Sequence, residues 1–378
     1  MLIQLYDANS IDTMDWPDTE DGHYAKRCLP PFVKKGVHNY INNIHVESHV
    51  LKVDDLVLPI IVTDGTQTNS WVCSPYTQYI GYGQEYTWLI SNPLLSKLVK
   101  NILGAIGRCT QWCKLDAVVY VNNWLFAADL YPKGFSEGHV QAIQNYLQRR
   151  FPQHAIVFRS VNPLLNAPLI AALKNSGFTT MASRYIHVTD ARNEEIFTTR
   201  ILKSDLKLLR EAPYQLIEGD EVPVEDYPKL LALYHSLYIT QHSPRNPVVT
   251  QAYMQALIEK KLLSFKIVKQ GDLYKGVAGY TVKNGIFQCP FFGYEKKDPD
   301  HNLVYRLLST ALILEARKRG VVFNQSAGAS FYKSIRRSQG CFEYNAIYTK
   351  HLPLKQRAGW ATLKTFINAV APPFMKKY

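Results

Sequence analysis

The run Ser326-Ala-Gly-Ala329 lets a backbone approach a ligand closely, and Tyr332-Lys333 follows within a few residues. Placed there, Lys333 would be a cation beside a carbonyl oxygen that gathers negative charge, and Tyr332 is a candidate with it. The plainer reading is a surface lysine next to a core tyrosine. Arg336 and Arg337 come next, and their guanidinium groups suit either a phosphate-bearing arm or a solvated face. His235 and His242 are candidate bases, because an unperturbed imidazole titrates near neutrality. His235 lies on the apolar side of a helical pattern and reads as core. His242 stands in the polar loop 240–247 beside Arg245, where it could serve an acceptor.

Other reactive types carry less. Cys289 and Cys341 have no Cys-His signature around them, so buried thiols are the expectation. The remaining cysteines, Cys28, Cys73, Cys109 and Cys113, lack the clustered pairs of a zinc site, and no metal is expected. Reduced thiols fit a reducing compartment. Asn122-Asn123 before Trp124 reads as a polar bulge lining a groove or as a turn.

The chain that must position these groups has 378 residues, 47% of them hydrophobic and 20% charged, so two packed domains are the default. Its formal charge is +12, from 43 Lys and Arg against 31 Asp and Glu. Such a surface attracts anionic partners: nucleic acid, anionic lipid, an acidic carrier protein or a phosphorylated cofactor. No segment approaches the ~20 apolar residues of a membrane span, and the N-terminus lacks a signal-peptide pattern. The expected location is cytoplasmic.

Apolar spacing predicts strands over 51–62 and 70–80, a helix over 93–106, and strands over 117–121 and 123–127. Helix 138–149, strand 155–161, helix 167–175 and strand 178–188 then alternate, which writes a mixed α/β sheet. Character shifts between 189 and 213, where Arg200, Lys203, Lys207 and Arg210 lie on a polar helix, and a boundary near residue 200 is expected. Beyond it come helices over 224–238 and 250–259 and strands over 263–268, 276–282 and 285–292, the last two joined at Asn284-Gly285. A long helix over 302–319, a strand over 321–324, a short helix over 330–337 and a strand over 342–348 complete the pattern. The tail 354–378 combines apolar and basic residues; it suits a membrane surface, but docking on the first lobe is the expectation.

This order in the second half resembles the GNAT N-acetyltransferase fold. Lys203-Ser-Asp-Leu-Lys-Leu-Leu-Arg-Glu-Ala212 resembles the basic helix that opens the second domain of FemAB-like tandem acyltransferases. Leu314-Glu-Ala-Arg-Lys-Arg-Gly320, Val321-Val-Phe-Asn324 and Ser326-Ala-Gly-Ala-Ser-Phe-Tyr-Lys333 are similar to that group's ending. Asn162-Pro-Leu-Leu-Asn166, Gly177-Phe178 and Arg184-Tyr-Ile-His-Val188 fit the end of its first domain. The resemblance spans about residues 50–350 and implies two GNAT-like lobes in tandem, 1–200 and 201–378, the latter ending in a basic tail.

The resemblance also implies roles. Lys333 would lie near an acyl carbonyl, and Tyr332 and His242 would complete the catalytic set. Phe292, Asn302, Leu303, Val304, Tyr305, Arg306, Ser326 and Gly328 would hold the donor, and Arg245, Asn324 and Arg336 the acceptor. The donor would be an acyl-CoA, an acyl group on a carrier protein, or an aminoacyl-tRNA, and the acceptor an amine. Two departures stand out. The glycine-rich pyrophosphate turn of acetyl-CoA users is replaced by Gly293-Tyr-Glu-Lys-Lys-Asp-Pro-Asp-His-Asn302, and Asn324 stands where many relatives have Asp. Anion binding would then rest on exposed amides at 302–305. The alternative reading is a non-catalytic, degenerate GNAT module that binds an anionic carrier or RNA.

Overall fold

The computed structural model describes residues 1–65 and 68–377. The chain opens with β1 (Ile3–Tyr6) and α1 (Glu20–Lys35). The Thr19 side chain caps α1 at the Gly22 amide, and Glu20 and Asp21 meet the positive end of its dipole. Residues 51–62, expected as one strand, belong to a hairpin of β2 (Glu47–Val53) and β3 (Leu56–Asp64). Its turn is Asp54-Asp55, with Asp54 at φ 50°; without glycine the turn is poorly marked in the sequence.

The strand expected over 70–80 is absent. A π-helix (Tyr76–Gly81) and α2 (Tyr82–Glu85) stand there instead. Asp116, 40 residues downstream, accepts from the Tyr76 amide and from the Ser74 hydroxyl, both at 2.8 Å. This tertiary cap overrides the local β preference of Tyr, Thr and Ile. Then come α3 (Pro93–Trp112) and β4 (Ala117–Val121). The strand expected over 123–127 is also missing, and Asn122-Asn123 form a turn. Asn122, at φ 59°, donates to the Leu130 carbonyl at 3.0 Å, and Asn123 donates to the Val72 carbonyl at 2.8 Å.

The α/β alternation follows with α4 (Glu137–Arg150), β5 (Ala155–Val161), α5 (Ala167–Asn175) and β6 (Thr179–Asp190). Next are α6 (Glu195–Thr198), α7 (Arg200–Glu211), β7 (Gln215–Glu218) and α8 (Tyr227–Tyr234), which continues as a π-helix over His235–His242. The remaining elements are α9 (Gln251–Glu259), β8 (Ser264–Gln270), β9 (Leu273–Lys283), β10 (Ile286–Tyr294), α10 (His301–Lys318), β11 (Val322–Asn324), α11 (Ser330–Ser334), β12 (Gln339–Tyr348), α12 (Leu354–Val370) and α13 (Pro372–Lys377).

Two compact units result, one of Met1–Arg184 with Phe342–Lys377 and one of Tyr185–Cys341. The division therefore falls inside β6 and β12, not near residue 200 between 1–200 and 201–378. In the first unit the strand order is β1-β2-β3-β4-β5-β12; only β4 and β5 run parallel. In the second the order is β7-β8-β9-β10-β11 and the end of β6, and only β10 and β11 run parallel. The strand beside β5 thus comes from the end of the chain, and the strand beside β11 comes from its middle. Because the closing strands are exchanged, the composition shift at 189–213 marks a helix pair and not a seam.

Each unit has its own apolar core. In the first, Val119, Ile143, Leu147, Ile156 and Phe158 are buried between sheet and helices. In the second, α10 lays Val304, Leu307, Leu308 and Leu312 on Val268, Ala278 and Phe287. The tail docks on the first unit, as expected. Trp360, Leu363 and Ile367 of α12 are buried, and Asn368 accepts from the Ala182 amide at 2.8 Å. Tyr378, the last residue of that expected tail, lies outside the described residues.

Candidate active site in the second unit

The parallel strands β10 and β11 share only three registered pairs, ending at Gln288 opposite Asn324. Past that point β10 is irregular against β9 between Gln288 and Phe291, with Pro290 in the gap, where a missing amide is tolerated. β11 turns away into the loop 325–329. The two strands therefore fork; on the β11 side the Gln325 amide donates to the His187 carbonyl of β6 at 2.8 Å, and the Ser326 carbonyl accepts from the His187 amide at 3.1 Å.

The loop is built on left-handed residues: Ser326 at φ 60°, Gly328 at φ 80° and Ala329 at φ 51°. Asn324 accepts from the Ser326 amide at 2.9 Å, which starts the turn. Lys333 completes it. Its Nζ donates to the carbonyls of Gln325 at 2.8 Å, Ser326 at 3.1 Å and Ala327 at 2.8 Å, and the side chain is buried. An ammonium has three N–H donors, and each has a carbonyl of the loop within reach. Lys333 is thus neither a surface lysine nor a cation left open toward a substrate; it clamps the loop.

The arginines expected at the site are also turned inward. Arg306 and Arg336 share Asp205 of α7. Arg306 donates to its Oδ1 from Nε at 2.9 Å and from Nη2 at 2.6 Å, and Arg336 donates to its Oδ2 from Nε at 2.6 Å. Asp205 is fully buried, the Arg336 side chain is 5% exposed and that of Arg306 36%. Two guanidinium groups against one carboxylate leave one net positive charge in the group. Arg336 also donates to the Tyr332 carbonyl at 2.9 Å and lies 3.4 Å from the Tyr332 ring centroid. Arg337 is exposed at φ 65°.

Tyr332 packs edge-on to Tyr305, with ring centroids 4.8 Å apart, and Phe292 meets Tyr305 at 5.7 Å. The Tyr332 hydroxyl is buried beside the Ser309 hydroxyl, and burial pushes its pKa up to about 12. It therefore keeps its proton at neutral pH. Among the buried polar atoms of this unit without a hydrogen-bond partner are the Gln288 Oε1 at the fork and the His187 Nε2 on β6. The other ring nitrogen of His187 is 3.0 Å from the Ser338 hydroxyl. Burial, and then the Lys333 charge, lower the His187 pKa to about 4. Asp205, His187 and Gln288 were not foreseen as site residues. Asp205 was legible only as one acidic residue within the basic helix 203–212, and nothing local marked the other two.

The start of α10 differs from the expectation for an anion site. The amide of Val304 is taken by the Asp300 carbonyl at 2.9 Å, so Asn302 and Leu303 carry the first-turn donors, and Tyr305 belongs to the helical ladder. The Val304 side chain is buried, and Leu303 packs against the core. Carboxylates crowd this end. Asp300 accepts from the Tyr214 hydroxyl at 2.6 Å, and Asp298 binds Lys275 at 2.7 Å. Bonds from Ser236 to Glu295 and from Lys275 to Asp298 hold both carboxyls below their usual pKa, so they stay charged. Lys296 and Lys297 lie in the same stretch, so the approach to α10 carries both signs of charge.

His242 closes the π-helix that continues α8. The residue is exposed at the surface; partial loss of hydration, and then the Lys296 cation, hold its pKa below the usual imidazole value, so it is neutral at pH 7. Arg245 follows in the turn, its amide donating to the Ser243 hydroxyl at 3.1 Å. His235 is tied to the Val249 carbonyl at 2.9 Å. The Cys289 thiol is 3.2 Å from the Phe291 carbonyl, and burial pushes its pKa far up, which leaves it a poor nucleophile. Among the described residues no cluster of His, Cys, Asp or Glu has metal-ligand geometry.

With this geometry in place, the class of fold is the tandem GNAT, FemAB-like one, an α/β architecture with mixed strands in each unit. The crystal structure of FemX is similar to this chain at TM-score 0.53 and 8% identity, over 96% of this chain and 100% of that one. Other similar structures are L-PGS from Bacillus licheniformis (TM-score 0.46, 12% identity, 65% of this chain, 82% of that one) and a tandem GNAT protein from the clavulanic acid biosynthesis pathway (TM-score 0.38, 9% identity, 92% and 98%). No protein-family profile matches the chain, and no curated protein does.

Proposed function

We propose that this chain is an N-acyltransferase that moves an acyl or aminoacyl group from an activated carrier to an amine. The observation that carries the reading is the β10/β11 fork with its clamped loop and the buried, protonated Tyr332 hydroxyl, set in the fold of FemX. In the reaction the amine nitrogen attacks the acyl carbonyl, and the bond from that carbon to the carrier's oxygen or sulfur breaks. His242, neutral at pH 7, takes the proton from the amine. Tyr332, still protonated, gives one to the leaving group. Amides of the loop beyond Ser326, at 327–329, would face the developing oxyanion, and Arg245 would orient the acceptor.

The carboxylates before α10 favour a donor held through its macromolecular carrier, an acyl carrier protein or a tRNA, over free acyl-CoA. One observation weighs against catalysis by the cations of the site and so keeps the alternative, a non-catalytic module that binds an anionic carrier or RNA through other groups: Lys333, Arg306 and Arg336 are all engaged within the protein. The test presents the purified chain with labelled acyl-CoA, acyl carrier protein and aminoacyl-tRNA, with and without a pool of amines. Amine-dependent turnover from a carrier-bound donor, lost in Tyr332→Phe and in His242→Ala, is the expected result. Saturable donor binding without turnover would move the chain to the binding class, and fast turnover of free acetyl-CoA would overturn the donor preference.

A further inference from the structure

Helix α3 of the first unit wears its apolar side outward. At about 100° per residue, Leu94, Leu95, Leu98 and Ile102 fall in one arc about 100° wide. All four are exposed, Leu94 at 80% and Leu98 at 55%. The buried side holds Leu103, Gly107 and Thr110, and a Cβ on Gly107 would touch Ile80 at 3.0 Å and Tyr76 at 3.2 Å. Leu103 is thus the large apolar residue of the packed face, beside Gly107 and Thr110, and four others face out. Tryptophans stand near both ends of the helix, Trp88 just before it and Trp112 as its last residue, 69% and 67% exposed.

The charge around this arc has one sign. Residues 86–115 contain Lys97, Lys100, Arg108 and Lys114 and no Asp or Glu. Helix α12 packs beside α3: the Lys355 Nζ lies 3.5 Å from the Trp112 ring centroid, and Gly359 abuts Cys113. The segment that carries it, residues 344–378, has six Lys and Arg and again no Asp or Glu. No helix of the described residues is long and apolar enough to cross a membrane. An apolar arc rimmed by cations, with tryptophans at its ends, has instead the form of a helix that lies in a bilayer interface.

We propose that α3, with the basic edge of α12 beside it, docks this protein on an anionic lipid surface. The leucines and Ile102 enter the headgroup and acyl boundary, while the cations meet lipid phosphates within a Debye length. A second copy of the chain fits less well, because a two-fold dimer through this face would set two uniformly cationic surfaces against each other. Nucleic acid would use the cations and leave the leucines unexplained.

The experiment is co-sedimentation of the full chain with vesicles of phosphatidylcholine and phosphatidylglycerol, against vesicles of phosphatidylcholine alone. Partitioning should be at least about tenfold stronger on the anionic vesicles and should fall as salt is added. The exposed pair Leu98→Glu with Ile102→Glu should lose at least about tenfold at an unchanged melting temperature, and Lys97→Glu with Arg108→Glu should do the same. Equal binding to both vesicle types, or full binding by the Leu98→Glu, Ile102→Glu protein, overturns the proposal. So does a concentration-dependent dimer in lipid-free solution that the same pair abolishes, since a second copy would then occupy the face.

Discussion

Truncation of Lys333 to alanine separates a clamp from a reactive cation. In the structure Nζ donates to three carbonyls of one loop, and a hydrogen bond to a charged group is worth about 1.5–3 kcal/mol. The gain is not threefold, because the half-buried loop carbonyls regain some water and the buried ammonium no longer has to be desolvated. A net loss of about 2–4 kcal/mol is expected. For a unit of this size each kcal/mol shifts the melting point by about 2–4 °C, so the transition should fall by about 5–15 °C. Lys333→Met keeps much of the volume without the donors and should fall nearly as far; a drop in Lys333→Ala alone would point to a packing cavity. Lys333→Arg should recover less than half, since a planar fork cannot reach three carbonyls around one point. The assay is calorimetry or urea unfolding alongside transfer activity at a temperature where each variant is folded. Full loss of turnover at an unchanged melting point would refute the clamp and restore Lys333 as a group facing substrate.

Asp205→Asn leaves two guanidinium groups without their shared carboxylate, one of them buried, and should cost about 3–5 kcal/mol in urea unfolding. A result under about 1 kcal/mol would mean that the triad is solvated. Gly293→Ala places a Cβ 2.5 Å from the Tyr234 amide nitrogen and 2.6 Å from the Leu233 carbonyl carbon, both backbone, so β10 and α8 must separate and the melting point should drop; unchanged melting would rule out that close approach. For His187 the folded pKa of about 4 lies below the ordinary 6.5, so between those values the unfolded chain binds more protons. Stability should therefore rise from pH 4 to pH 6.5 and level off above it. His187→Gln should flatten that rise in urea midpoints, and a slope equal to wild type would show that another group carries it.

How much of this was legible in the sequence follows from what each feature depends on. Local rules placed α5, with Pro168 in its first turn and Gly177 past its end, and the β9–β10 hairpin at Asn284-Gly285, where φ is 55° and 79°. Those rules failed at 70–80 and 123–127, where the deciding partners, Asp116 for one and Val72 and Leu130 for the other, lie up to 51 residues away. They failed again at the unit boundary, because strand exchange is a property of pairing and leaves no mark on composition. The site shows the same division. Small residues at 326–329 announced a tight loop, and the structure has one. The job of Lys333 depends on which way Nζ points, and that is set by the turn at Asn324 and the left-handed backbone of Ser326 and Ala329. Spacing alone gives a lysine after a glycine loop the same appearance whether it reaches outward to a ligand or inward to its own carbonyls. A buried cation is tolerated only when its donors are matched, so the three carbonyls around Nζ are also the reason this lysine can be buried at all. A chemical group still seeking a partner is better sought among the polar atoms left unmatched, and in this unit those include the Gln288 Oε1 and the His187 Nε2.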